Sequence, residues 1–203
     1  MQAKTAGRRS GRAATKQPAR GRGDARYVAL IRGINVGRAK RIAMADLRTL
    51  VEDLGYTNVR TLLNSGNIVF AASAKTARGS ASRVERAIAD RLHVSARVVV
   101  LSASELSEAI AGNPLLPIAA DPSRLLVTIL SEPSHRTRLD ALTQQDWTPD
   151  ALAVGARVAY LWCADGLLAS RLAVAVGRAL GDAATSRNWA TMVKLHALAC
   201  GAD

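Results

Sequence analysis

Three short stretches of this 203-residue chain combine arginine, asparagine and glycine in a way that suits anion binding. The first runs from Arg32 through Gly33 and Asn35 to Lys40. Glycines let backbone N–H groups approach a ligand closely, and arginine and lysine supply positive charge. The stretch matches neither G-x-G-x-x-G nor the G-K-[ST] of a P-loop, so it satisfies no nucleotide-binding motif. The alternative is the end of a strand that needs a flexible glycine and is surrounded by solvated arginines.

The second stretch contains Asn64, Ser65 and Asn67 around Gly66, between two extended runs. Asparagine and glycine tolerate the positive φ of tight turns, so a hairpin turn explains these residues without any ligand. In the other interpretation, their amides offer hydrogen bonds at a rim shared with the first stretch.

The third stretch places Arg187 and Asn188 at the predicted start of the last helix, with Lys194 further along it. A helix start leaves N–H groups pointing outward and Arg187 adds a bidentate donor, a combination that favours an anion. An ordinary helix cap is the alternative. The three stretches together give the candidate ligand residues Arg32, Asn35, Lys40, Asn64, Ser65, Asn67, Arg187, Asn188 and Lys194.

The sequence identifies no catalytic residue. It has no G-x-S-x-G elbow, and no two carboxylates stand out as a paired acid and base. His93, His135 and His196 are scattered singly, and Cys163 and Cys200 lie far apart without C-x-x-C spacing. We therefore expect no metal site and no cofactor. Reduced cysteines that serve packing fit a cytoplasmic protein.

The formal net charge of +12 is unevenly distributed, because residues 1–23 carry seven basic and no acidic side chains. Residues 1–25 contain no leucine, isoleucine, valine or aromatic residue, so they cannot fold alone, and we predict a basic flexible tail there. It is either a dispensable extension or an arm that contacts nucleic-acid phosphates. The residues of such an arm are Arg8, Arg9, Arg12, Lys16, Arg20 and Arg22.

The overall composition is that of a globular protein, with 49% hydrophobic and 22% charged residues. It excludes a membrane span, a disulfide scaffold and a repeat solenoid. Aromatic residues make up only 3%, and the third predicted strand offers Phe70 alone. This scarcity argues against the stacking platform of a base-reading RNA-binding sheet.

The hydrophobic periodicity predicts an α+β fold of two subdomains, with the boundary between Leu101 and Arg124. Residues 26–102 follow the order β-α-β-β-α-β of a ferredoxin-like subdomain, with strands at 27–31, 59–63, 67–71 and 97–101. A capping box of Ser82 and Glu85 is expected to open the second helix.

Residues 103–203 resemble the first unit, as β-α-β-β-α with a C-terminal helix. We predict strands at 125–130, 152–154 and 158–163. One helix is capped by Ser134, another includes Leu168 and ends at Gly181, and the last starts near Thr185 or Ser186.

Four ordered motifs resemble an uncharacterised bacterial family, domain of unknown function 1697. They span most of the folded part and are Arg32–Gly37, Met44–Leu47, Ser65–Asn67, and Arg187–Trp189 with Lys194. The resemblance implies two α+β subdomains, the first ferredoxin-like, and no established activity. Departures occur at Arg38, where the family commonly continues a glycine pair, and at Lys40, Asn64 and Ala190. The loss of the second glycine at Arg38 makes the first loop bulkier and more cationic.

The sequence leaves three hypotheses open. The chain is a module that binds a small phosphate- or carboxylate-bearing ligand in a cleft between the subdomains, or an enzyme acting on such a ligand, or a non-specific nucleic-acid binder that uses its arm. The oligomeric state is not predicted.

Overall fold

The computed structural model describes residues 24–36 and 41–201. The first subdomain forms a fully antiparallel sheet in the order β2-β3-β1-β4, which is the ferredoxin-like arrangement predicted from the sequence. Its elements are β1 (Ala25–Ile31), α1 (Met44–Asp53), β2 (Thr57–Leu62), β3 (Asn67–Ala72), the short α2 (Ala74–Ala77), α3 (Ser80–Leu92) and β4 (Val98–Ser102).

The second subdomain repeats this topology, with its sheet in the order β6-β7-β5-β8 and all pairs antiparallel. Its elements are α4 (Ala103–Ala111), β5 (Leu125–Leu130), a 3₁₀ turn (Pro133–Leu139) leading into α5 (Asp140–Thr143), β6 (Ala151–Val154), β7 (Val158–Trp162), α6 (Arg171–Leu180), a 3₁₀ turn (Gly181–Ala183), β8 (Ala184–Asn188) and α7 (Trp189–Cys200). The predicted α+β class with two related subdomains is confirmed.

Strand β8 corrects the sequence prediction, which placed the start of the last helix at Thr185 or Ser186. Serine and threonine favour helix caps, and this five-residue segment is too short and polar to show a strand pattern. Its pairing with β5, Val127 opposite Arg187, fixes it as a strand. Asn188 caps α7 instead, since its side chain accepts a 2.9 Å hydrogen bond from the Thr191 amide.

Three other predicted helix starts were also wrong. Helix α3 starts at Ser80 after Gly79, and Glu85 accepts a hydrogen bond from the Val98 amide rather than forming a capping box with Ser82. The segment after β5 starts as a 3₁₀ turn at Pro133 and uses no Ser134 cap. Leu168 lies fully exposed outside α6, which Ser170 caps.

Helices α4 and α7 lie between the two sheets. Leu106 of α4 and Leu195 of α7 share one buried cluster with Val28 of the first sheet and Val127 of the second. The outer face of the first sheet packs on α1 and α3, and that of the second on α6 and the turn after β5. The subdomains are therefore joined by a common core, in which apolar burial is the main stabilising contribution.

The predicted division at residues 102 and 103 falls within continuous structure. Ser102 ends β4 and also caps α4, in a capping box with Glu105. The exact domain limits, 26–102 and 103–203, stay a prediction. Within the two described ranges, no helix has the length and apolar character needed to cross a membrane.

Candidate functional site

Arg187 joins the third polar stretch to the second and to the end of β1, one residue before the first stretch. It lies on β8 and makes five hydrogen bonds of 2.6–3.0 Å, three of which reach the first subdomain. Its Nε donates to Oδ1 of Asn67, and Nη2 donates to the carbonyls of Ile31 and Ser65. Nη1 donates to the Thr185 hydroxyl and the Ser186 carbonyl. Sequence analysis identified Arg187 but not this role across the subdomain junction.

The guanidinium of Arg187 has neutral acceptors in all five directions, and desolvation by burial lowers its pKa from the ordinary value to about 10. A guanidinium has five N–H donors, so these contacts use its full capacity. An anion at this point would have to displace intramolecular bonds. Arg187 is therefore placed to hold the two subdomains together, and its value as a direct ligand donor stays a prediction.

Asn67 and Gly66 shape the β2–β3 turn around this arginine. Asn67 is fully buried, and its amide donates to the Leu62 carbonyl and to the Ser65 hydroxyl. Gly66 has φ of +74°, and an added Cβ would lie 2.9 Å from side-chain atoms of Ile31 and Ile34. The turn thus requires glycine for both backbone conformation and space.

Asn35 fastens the loop after β1 to the same turn. Its amide donates to the carbonyls of Ile42 and Asn64, at 3.0 and 2.7 Å, and its Oδ1 accepts from the Ile42 amide. Asn35 has φ of +56°, a conformation that asparagine tolerates better than most residues. Its side chain is therefore used for loop structure.

The remaining predicted site residues divide into three groups. Asn188 caps α7, and Lys194 is exposed further along that helix. Lys40 lies outside the described residues, as do all six residues of the nucleic-acid arm, Arg8, Arg9, Arg12, Lys16, Arg20 and Arg22. Arg32 lines a cleft between the subdomains.

Arg32 bridges the two subdomains at the narrow end of this cleft. Its Nη1 donates a 2.9 Å bond to the Ala184 carbonyl, and its Nε lies 3.4 Å from Oδ1 of Asp182. The narrow end has a volume of about 440 Å³ and also contains Arg86 and Arg97. Three arginines therefore meet two carboxylates there, Glu85 and Asp182.

Arg86 and Arg97 were not identified from the sequence. Arg97 precedes β4, and its carbonyl accepts a hydrogen bond from the Arg32 amide because β4 pairs antiparallel with β1. The predicted ferredoxin-like order contained this signal, since it places the start of the fourth strand beside the end of the first. Arg86 lies on α3, where the sequence alone shows an ordinary exposed arginine.

A larger second part of the cleft, about 740 Å³ and lined by residues of β4, adjoins the narrow end and shares Glu85, Arg97 and Asp182 with it; it is called the wide part below. An ion pair of Arg157 and Glu105, 2.5 Å apart, closes part of its wall. Burial alone would raise the pKa of Glu105. Hydrogen bonds from Ser102 and the Arg157 guanidinium outweigh it and hold that pKa below its usual value. Glu105 is therefore ionised at neutral pH.

In the part of the chain that the structure describes, no three histidine, cysteine, aspartate or glutamate side chains lie together as metal ligands. Cys163 is buried, and burial raises the pKa of its thiol, whereas Cys200 is exposed.

These features define a protein of two ferredoxin-like subdomains. They are joined by a shared core and by the hydrogen bonds of Arg187 to Asn67, Ile31 and Ser65, which form an arginine clamp. The family model described as protein of unknown function (DUF1697) matches residues 25–160, and the chain belongs to this family. A solved structure of a conserved bacterial protein from Streptococcus pneumoniae is similar, with a TM-score of 0.73 and 21% identity, covering 88% of this chain and 99% of that chain. At this identity the similarity concerns the fold alone. No curated protein matches the sequence significantly.

Proposed function

We propose that the chain binds a small anionic ligand, carrying a phosphate or carboxylate group, in the cleft between its two subdomains. The observation that supports this is the convergence of Arg32, Arg86 and Arg97 at the narrow end. Guanidinium groups match the planar, bidentate geometry of phosphate and carboxylate oxygens. The volumes of the two parts, about 440 and 740 Å³, fall in the range of small-molecule sites.

The existing ion pairs in the cleft leave these arginines available to a ligand. Arg32 and Arg97 lie 3.4 and 3.5 Å from Asp182 and Glu85, and their side chains are 40% and 64% exposed. Exposed pairs of this kind contribute little to stability, so an incoming anion can displace them. Arg86 makes one 3.4 Å hydrogen bond, to the Ser82 carbonyl of its own helix, among the described residues.

The clamp at Arg187 supports this site without touching the ligand. Its bond to the Ile31 carbonyl holds the end of β1, and the next residue, Arg32, lines the cleft. Asn35 and Asn67 fasten the loop and turn on either side of that strand end. In this proposal the predicted site residues are mainly a scaffold, and the arginines of the cleft supply the charge.

Binding of inorganic phosphate and of citrate to the full chain, measured by calorimetry and thermal shift, tests the proposal. We expect both anions to stabilise the wild type and Arg86→Gln to weaken binding several-fold. Arg171→Gln is the matched control, because Arg171 is an exposed arginine on α6 that lies outside the cleft. Absence of binding by both anions, or equal loss in the two variants, would rule out this site.

Catalysis on the same ligand and nucleic-acid contact through the basic arm remain predictions. The arm residues lie outside the described ranges, 24–36 and 41–201.

A further inference from the structure

The two parts of the cleft have opposite charge balance. The narrow end has three arginines and two carboxylates. The wide part has three arginines and four carboxylates, namely Arg97, Arg138, Arg157, Glu85, Glu105, Glu132 and Asp182. Glu85, Arg97 and Asp182 belong to both parts, so the charges peculiar to each are two arginines at the narrow end and two arginines with two glutamates in the wide part. A single anion therefore gains most from the narrow end, whereas the wide part offers a second negative charge no net attraction.

Most of the charges in the wide part already have partners. Arg157 pairs with Glu105 and also donates to the carbonyls of Leu130, Val100 and Ser131. Arg138 and Glu132 are the exceptions. Arg138 makes no ion pair among the described residues, and its Nη1 donates to the Leu180 carbonyl at 3.4 Å. Glu132 is exposed and makes no ion pair or side-chain hydrogen bond among those residues, so its carboxylate is an acceptor open to the cleft.

His135 supplies a second acceptor to the same wall. The Ser131 hydroxyl donates to the Ala183 carbonyl at 2.9 Å, so its oxygen accepts the 3.2 Å bond from Nδ1 of His135. In the neutral imidazole the proton then lies on Nδ1, and Nε2 is left as an acceptor. Glu132 and His135 both line the wide part, which is therefore suited to ligand groups that donate hydrogen bonds.

We infer that the ligand is a phosphorylated polyol of the sugar-phosphate class, with its phosphate at the Arg32–Arg86–Arg97 end and its hydroxyls donating to Glu132 and His135. This inference rests on the proposed function and adds the identity of the neutral part of the ligand. A hydroxyl-rich group provides donors for the Glu132 carboxylate and for Nε2 of His135, and it adds no charge to a wall that offers no net attraction to an anion.

Calorimetry on the full chain tests this with inorganic phosphate, glucose 6-phosphate, ribose 5-phosphate, glycerol 3-phosphate and unphosphorylated glucose. We expect at least one sugar or polyol phosphate to bind about tenfold more tightly than phosphate, and glucose more weakly than either. Glu132→Gln replaces a charged two-oxygen acceptor by an amide with one neutral oxygen and two donors, so it should remove most of that gain. Phosphate affinity should stay within about twofold of the wild type, since the narrow end is unchanged. Arg86→Gln should weaken phosphate and sugar phosphate alike.

Glu108→Gln is the matched control, because Glu108 is an exposed acid on α4 outside the cleft. If phosphate binds but no polyol phosphate binds more tightly, the inference is wrong and the proposed function stands. The inference is also wrong if Glu132→Gln and Glu108→Gln change the gain equally. If neither phosphate nor citrate nor any polyol phosphate binds, the proposed function itself fails.

Discussion

Nε of Arg187, on the edge strand of the second sheet, donates a 2.6 Å hydrogen bond to Oδ1 of Asn67, at the start of a strand in the first. The two residues are 120 positions apart in the chain, and Asn67 is fully buried. Buried polar groups need partners, so each of these side chains depends on the other for its hydrogen bonding. The contact joins the second and third polar stretches of the sequence and fixes the geometry of the subdomain junction.

Replacing Arg187 should destabilise the whole protein. Arg187→Ala leaves Asn67 Oδ1 and several carbonyls without their donor, and we expect the free energy of unfolding to fall by roughly 2–4 kcal/mol. Arg187→Lys should recover little, because an ammonium cannot make five bonds in fixed directions. Urea unfolding measures the loss of unfolding free energy in the two variants, with Arg171→Ala, a change at an exposed arginine, as control. A loss for Arg187→Ala no larger than that of the control would contradict the clamp.

Gly66→Ala should be more costly than an equivalent change at Gly55. Both glycines have positive φ, +74° and +87°, so alanine is strained at either position. At Gly66 the new Cβ also lies 2.9 Å from atoms of Ile31 and Ile34, whereas nothing lies within 4 Å at Gly55. We expect about 1–2 kcal/mol lost at Gly55 from the backbone and at least about 1 kcal/mol more at Gly66. Equal losses in chemical denaturation would show that the turn is not tightly packed.

Asn188→Ala should lower the free energy of unfolding by about 1 kcal/mol, because it removes the cap of α7. Asn188→Asp keeps an acceptor at the cap and places a negative charge at the helix N-terminus, so it should be neutral or slightly stabilising. Thermal and urea unfolding of the alanine and aspartate variants show whether the cap hydrogen bond accounts for the change in stability. Equal destabilisation by alanine and aspartate would argue that Asn188 acts in some other way.

The Glu105–Arg157 pair should make stability depend on pH in the acidic range. The pKa of Glu105 is lower in the folded protein than its ordinary 4.5, so its contribution is present above that value and is lost as the pH falls through the folded pKa. The wild type should therefore be more stable than Glu105→Gln at pH 7, and the difference should shrink below about pH 4.5. Glutamine retains one oxygen for the capping box but loses the acceptor that faces Arg157, so the comparison measures the charge together with its hydrogen bond. A difference in urea midpoint that does not vary with pH would refute this.

The regular part of the fold was readable from the sequence. Alternating and helical periodicities placed β1, α1 and the β2–β3 hairpin, because each buries an apolar face that its own spacing defines. Strand β8 was not readable, since its five polar-rich residues become a strand through pairing with β5, some sixty positions away. Glu85 was misassigned for the same reason, as its partner is the Val98 amide at the start of β4.

By itself, the sequence determined the α+β class, the repeated subdomains, the family and the residue types that could bind an anion. Side-chain chemistry sets what Arg32, Asn67 and Arg187 are able to bond. Only the tertiary structure decided which of these side chains already use their hydrogen-bonding groups within the protein. The reason is that such bonds depend on partners brought within about 3 Å from distant parts of the chain. Arg187 is fully engaged by such acceptors, whereas Arg32 joins Arg86 and Arg97 in an open cleft.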